Sequence, residues 1–238
     1  MTTPSFSYLA LGDSYTIGEG VPLYESFPYQ TVQLLRKAGK PFAAPEILAR
    51  TGWTTDELAA AMADSKFLPP YDFVSLLIGV NNQYRGRDHE EYGRQFEELL
   101  QQAIRLATPR SHPSPTHSPF STPPPHPSST PPGPASPPVF VLSIPDWSVT
   151  PFAQTHLPDA KGRDRISVSR EIDTFNATAE EITRRYQVAF INITDHTRSE
   201  CRYLPEAPAD GLHPSGIEYG FWATQLAERI ATAITTAQ

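Results

Sequence analysis

Short apolar runs and helix-length amphipathic stretches alternate along this chain, and that alternation restricts the possible fold more than any other feature. The runs Phe6–Leu11, Glu46–Ala49, Phe73–Ile78, Val139–Ile144 and Val188–Ile193 have the length and apolar character of buried strands. Between and after them, Tyr24–Ala38, Asp56–Ser65, Asp88–Ala107, Ile166–Tyr186 and Gly216–Ile234 repeat their apolar residues at helical spacing. In the fourth of these, Ile172, Phe175, Ala179, Ile182 and Tyr186 form one stripe. Thr54-x-x-Glu57 and Ser215-x-x-Glu218 have the form of capping boxes at two helix starts. Five strands, each followed by a helix, require crossover connections, and these place helices on both faces of a parallel sheet. The expected architecture is a single-domain, three-layer α/β/α sandwich around a five-stranded parallel sheet.

One segment stands outside this pattern. Between Thr108 and Pro138 lie 13 of the chain's 26 prolines, interleaved with Ser, Thr and His. Proline fixes φ and offers no backbone donor, so the segment can join neither a helix nor a sheet ladder. Residues 1–238 therefore read as one domain interrupted by a proline-rich, disordered insertion at 108–138. Such a loop could engage an SH3- or WW-like partner.

Composition narrows the function classes. The formal net charge of −7 argues against nucleic acid and against polybasic attachment to anionic membranes, both of which need clustered Lys and Arg. No apolar run approaches the roughly 20 residues that span a bilayer. The N-terminal residues Met1–Ser5 carry no basic side chain, and the apolar stretch after them is too short for a signal peptide. Cys201 is the single cysteine, so an internal disulfide is impossible. A cytoplasmic location is the expectation.

In open parallel sheets, ligands bind beyond the carboxyl ends of the strands. The residues there are Gly12-Asp13-Ser14, Arg50-Thr51-Gly52-Trp53, Gly79-Val80-Asn81-Asn82, Pro145-Asp146-Trp147 and Thr194-Asp195-His196. A serine hydroxyl becomes a nucleophile when a histidine takes its proton, and the histidine needs a carboxylate to hold its tautomer. His112, His117 and His126 lie in the insertion, His89 opens a helix, and His156 sits in a polar loop. His213 differs, because Asp210-Gly211-Leu212-His213 lets a tight turn bring a carboxylate to the imidazole just before the last helix. Asp195-His196 is a rival pair. The insertion's three histidines have neither fixed geometry nor acidic or thiolate partners, so no metal site is expected. Neither Gly-x-x-x-x-Gly-Lys nor Gly-x-Gly-x-x-Gly occurs, which leaves nucleotide cofactors without support.

Taken in order, Gly12-Asp13-Ser14, the isolated Gly52, Gly79-x-Asn81 and Asp210-x-x-His213 resemble the four signature blocks of the SGNH (GDSL-like) hydrolase superfamily. The resemblance spans nearly the whole chain except the insertion. It implies a flavodoxin-like sheet and a cofactor-independent serine esterase or lipase with Ser14 as nucleophile, His213 as general base and acid, and Asp210 as orienting carboxylate. It further implies an oxyanion hole formed by the backbone N–H groups of Ser14 and Gly52 and the side-chain amide of Asn81. Ser14 lies outside a Gly-x-Ser-x-Gly elbow, since Thr16 takes the last position, which disfavours an α/β-hydrolase.

Two positions depart from the family pattern. Asn82 stands where Asp is frequent, and Tyr15 stands where Leu is frequent, a place from which it could line the cleft mouth. Asp13 reads as a support for the nucleophile turn. Trp53, Tyr84, Trp147 and Phe152 could form a substrate pocket or could simply pack. Small to medium acyl esters or lysophospholipids are the expected substrates. Acetylated sugars, thioesters and a non-catalytic interaction role are the alternatives.

Overall fold

The computed structural model describes residues 5–68, 70–107, 136–200 and 208–236. Its strands are β1 (Tyr8–Asp13), β2 (Glu46–Arg50), β3 (Phe73–Leu77), β4 (Val139–Leu142) and β5 (Ala189–Ile191). Its helices are α1 (Ser14–Ile17), α2 (Phe27–Lys37), α3 (Thr55–Asp64), α4 (Val80–Tyr84), α5 (His89–Leu106), α6 (Pro151–His156), α7 (Arg165–Arg185), α8 (Thr194–Glu200) and α9 (Gly216–Thr236). The strands form one sheet in the order β2-β1-β3-β4-β5, with every pairing parallel. This is the flavodoxin-like order, whose direction reverses between β1 and β3 and opens a crevice there.

The layering follows from that reversal. The step from β1 to β2 runs one way along the sheet, and the three later steps run the other way. Right-handed crossovers then put α2 on one face and α3, α5 and α7 on the opposite face. In agreement, α2 packs on α9, while α5 packs on α3 and α7. Trp222 of α9 meets Phe27 of α2 with ring centroids 6.2 Å apart, and Tyr92 of α5 meets Phe175 of α7 at 4.7 Å. Strands β1, β3 and β4 are buried along their whole length, as strands covered on both faces must be. The edge strand β2 is only partly covered.

The expected elements are present with shifted ends. β1 begins at Tyr8, because Ser7 is held by the Asp72 carboxylate through its N–H and its hydroxyl (2.7 and 2.8 Å). It continues through Gly12 and Asp13, which pair with Ala49 and Arg50 of β2. α2 begins three residues later than its periodicity suggests, after a 3-10 turn over Leu23–Glu25 and with Pro28 in its first turn. The box at Thr54 forms, with Glu57 Oε2 accepting from the Thr54 N–H at 2.8 Å. The box at Ser215 forms only in part. Ser215 Oγ accepts from the Glu218 N–H at 3.3 Å, but the Glu218 carboxylate turns away to His196 and Trp222. Helices α1, α4, α6 and α8 follow strand ends and are too short to register as a period. Among the described residues no helix is long and apolar enough to cross a membrane. Nearly all of the proline-rich insertion, and Cys201, lie outside the described residues.

Candidate active site

β1 runs straight into the single turn of α1, and Ser14 is the first residue of that turn. Asp13 caps it, its Oδ1 accepting from the Tyr15 N–H at 3.0 Å. Residue 12 must be glycine, because a Cβ there would collide with Thr16 Oγ1 and with the Leu77 carbonyl oxygen. The first glycine of the serine block is therefore set by close packing between β1, α1 and β3.

Asp13 is fully buried, and its Oδ2 has no hydrogen-bond partner among the described residues. Burial outweighs the bond from Tyr15 and pushes its pKa up to about 7. Below neutral pH the carboxyl is thus held largely protonated, and at pH 7 about half of it carries the charge. This supports the structural reading of Asp13.

The candidate base, His213, lies in the segment before α9. Asp210 Oδ1 accepts from the N–H groups of Leu212 (2.8 Å) and His213 (3.1 Å), and Oδ2 lies 2.6 Å from His213 Nδ1. Partial burial works to raise the Asp210 pKa. The His213 bond and the two amides outweigh it, so the carboxyl sits below its ordinary range. The segment is fixed from outside by the Phe152 N–H, which donates to the Gly211 carbonyl at 2.9 Å. The His213 ring rests on that of Tyr15, 5.3 Å between centroids, and Tyr15 rests on Trp222 at 6.0 Å. Tyr15 is only 3% exposed. It backs the imidazole instead of lining the cleft mouth, which corrects that expectation. Among the described residues no hydrogen bond joins Ser14 Oγ to His213. Without substrate such contacts are often long, and they tighten when the reacting carbonyl is bound.

The turns after β2 and β3 carry the other candidate donors. Gly52 follows β2 in a turn with φ +84°, a conformation that glycine adopts without steric cost. Its carbonyl is clamped by Arg85 Nη2 at 2.6 Å. Asn81, in the first turn of α4, donates from Nδ2 to the Trp53 carbonyl at 3.0 Å. That bond ties it to the turn bearing Gly52 and leaves the second amide hydrogen free. Asn82 has a different task. It is buried, its Oδ1 accepts from the Thr55 N–H at 3.1 Å, and its Nδ2 donates to Thr55 Oγ1 at 2.7 Å. An aspartate could accept but not donate in this pairing, so Asn82 suits its local partner.

The aromatic residues separate by exposure. Trp147 is 2% exposed, and its Nε1 donates to Gln83 Oε1 at 2.8 Å, so it is a wall of the fold and not an open contact. Tyr84, at 44% exposure, stands edge-on to it at 5.4 Å, and Phe152 closes the group. Trp53 is half-buried beside Asn81. The rival pair Asp195–His196 does not form. His196 Nδ1 instead meets Glu218 Oε1 at 2.9 Å, while Asp195 accepts from Asn192. Sequence reasoning missed Glu218, because its spacing from Ser215 pointed to a capping role. It missed Arg85 as well, since nothing local marks a side chain that clamps a carbonyl 33 residues upstream. Among the described residues no group of three His, Cys, Asp or Glu is placed to hold a metal ion.

The sequence model of the GDSL-like lipase/acylhydrolase family matches residues 10–217. No curated protein matches the chain. Among solved structures, a lipase/acylhydrolase from Enterococcus faecalis superposes with a TM-score of 0.64 at 14% identity, covering 95% of this chain and 96% of that one. An acetylxylan esterase from Geobacillus stearothermophilus gives 0.64 at 17% identity, with 97% and 96% covered. TesA gives 0.58 at 15% identity, with 98% and 99% covered.

Proposed function

Since the chain belongs to the GDSL-like lipase/acylhydrolase family and is a carboxylic ester hydrolase, we propose that Ser14, His213 and Asp210 carry out the cleavage through an acyl-serine intermediate. The observation that carries this reading is the 2.6 Å contact between His213 Nδ1 and Asp210 Oδ2, with that carboxylate fixed by two backbone amides. With Nδ1 committed to Asp210 as donor, Nε2 is left as the base. Ser14 Oγ attacks the ester carbonyl carbon as its proton passes to His213 Nε2. The oxyanion is held by the N–H groups of Ser14 and Gly52 and the free Asn81 amide hydrogen, donors aimed at charge that develops in the transition state. The ester C–O bond then breaks, and the leaving alkoxide takes the proton from His213. A water molecule, deprotonated by the same histidine, releases the carboxylic acid and restores Ser14.

Small to medium acyl esters are the proposed substrates. A second reading, removal of acetyl groups from a sugar, is favoured by the exposed face of Tyr84 beside Phe152, an arrangement suited to stacking a sugar ring. The test is labelling with a fluorophosphonate, followed by turnover on p-nitrophenyl esters of increasing chain length, acetylated xylose and an acyl-CoA. Wild type should be labelled and Ser14→Ala should not. Label retained by Ser14→Ala would overturn the assignment of the nucleophile. The best substrate decides between the ester classes.

A further inference from the structure

A groove of about 410 Å³ lies between the segment after β4 and the first turns of α7, lined by Ser148, Val149, Arg165, Ile166, Ser169 and Arg170. We propose that it binds a small amphiphilic carboxylate, a molecule with a short aliphatic body and one carboxylate group. This inference stands apart from the esterase reading, because it uses none of the residues assigned there.

The groove has two chemistries side by side. Val149 and Ile166 give it apolar surface, and Ile166 is 62% exposed, unusual for an isoleucine with nothing to bind. The guanidinium groups of Arg165 and Arg170 form no hydrogen bond or ion pair with any described residue. The acids around them are committed elsewhere. Asp146 Oδ2 accepts from Ser169 Oγ at 2.7 Å and Arg198 Nε at 2.8 Å. Asp173 pairs with Arg198, Asp164 accepts from Ser167, and Glu171 pairs with Arg163. Two guanidinium groups with no ion pair among the described residues thus flank the apolar floor.

A separate observation points to a ligand. Ser148 is only 3% exposed, it lines the groove, and its hydroxyl makes no hydrogen bond to a described residue. A nearly buried hydroxyl without a partner is a donor awaiting an acceptor. A guanidinium pair with one hydroxyl matches the lone pairs of a carboxylate, and the apolar floor selects a tail. Trp147, adjacent to Ser148 in the chain, turns its ring to Gln83 and Tyr84 of α4.

The test is calorimetric titration of the Ser14→Ala protein with hexanoate, hexanol, acetate and inorganic phosphate. Hexanoate should bind, with the other three at least tenfold weaker. Arg165→Gln/Arg170→Gln should weaken hexanoate at least tenfold, and Ser148→Ala about threefold. In the Ser14 background, p-nitrophenyl acetate turnover by the arginine variant should match wild type and so report its fold. If the double variant does not fold, each single arginine variant should lose at least threefold. Unchanged hexanoate affinity in the arginine variants would overturn the proposal, and so would acetate or phosphate binding as tightly as hexanoate.

Discussion

Two histidine–carboxylate pairs flank the start of α9, and their surroundings are inverted. In the pair His213–Asp210 the imidazole is 8% exposed and the acid 40%, whereas in His196–Glu218 the imidazole is 23% exposed and the acid 5%. Asp210 is oriented by backbone amides of its own turn, and its imidazole lies against the residue that follows Ser14. Glu218 shares one oxygen between His196 Nδ1 and Trp222 Nε1, and the His196 ring is stacked on Phe221 at 3.4 Å. The same two functional groups at hydrogen-bond distance thus serve different ends. One pair is the proposed base and its orienting acid, and the other fastens α8 to α9. The fastening pair also holds the helix onto which the catalytic segment runs.

The largest expected effect tests that division directly. His213→Ala should lower kcat by about 10⁴ to 10⁶, and Asp210→Asn by about 10⁴, with Ser14→Ala/His213→Ala little worse than either single change, because the groups act as one unit. His196→Ala should leave kcat of the folded enzyme within about tenfold. Steady-state kinetics on one p-nitrophenyl ester checks all four. A greater loss at His196 than at His213 would reverse the assignment of the two pairs.

A proposed acting group and a fastening group are also adjacent at Asn81 and Asn82. Asn81→Ala should cut kcat by about 10² to 10³ with little change in KM, as expected for a donor to the oxyanion. Asn82→Ala should spare kcat and lower stability by about 1–3 kcal/mol, since it strands the buried Thr55 N–H. Chemical denaturation beside kinetics separates the two. A larger kcat loss at Asn82 would mean that the oxyanion donor lies one residue later.

How much of this was legible in the sequence depended on whether a feature was local. Asp210 and His213 lie three residues apart, so one turn contains their whole interaction, and the chain spells it out. Ser14 and Asn81 sit at strand ends, and the alternation of periods was enough to bring those ends to one rim. Glu218 was misread for a physical reason. A Glu three residues after Ser can reach back to the Ser215 N–H, but the buried Trp222 and His196 offered better donors, and only the packed structure brings them near. Tyr15 and Trp147 were placed at the cleft because aromatic residues in rim loops look available. Their burial depends on Trp222 and Gln83, which lie 207 and 64 residues away in the chain. The insertion 108–138 had no period to read, and almost all of it lies outside the described residues.

The third prediction sharpens the contrast in stability. Glu218→Ala removes a buried acceptor and strands the N–H groups of Trp222 and His196, which should cost about 2–4 kcal/mol in unfolding free energy. Asp210→Asn keeps the size and two acceptor sites of a half-exposed side chain and should cost under about 1 kcal/mol. Urea unfolding at pH 7 reads both. Equal losses would show that the Asp210 turn is as much a fastening as the Glu218 contact.

The smallest effect is the pH dependence of stability at the exposed pair. The Asp210 pKa in the folded protein lies below its ordinary value, because the His213 bond and two amides outweigh burial. A depressed carboxyl pKa contributes stability that is present above the unfolded pKa near 3.9 and is lost as pH falls through the folded one. At 40% exposure of the side chain, solvent screens much of this contribution. Asp13 acts with the opposite sign and in a different window. Its pKa is raised to about 7, so its contribution is complete below the unfolded value and fades as pH climbs toward and past 7. The two are therefore separable by pH alone. Denaturation midpoints for wild type and Asp210→Asn, measured from pH 6 down to pH 2.5, should run parallel above about pH 4.5 and converge below about pH 4. Curves that stay parallel to the acid end would mean that the Asp210 carboxylate gains nothing from its turn, and the orienting bond to His213 would then hold the imidazole without stabilising the fold.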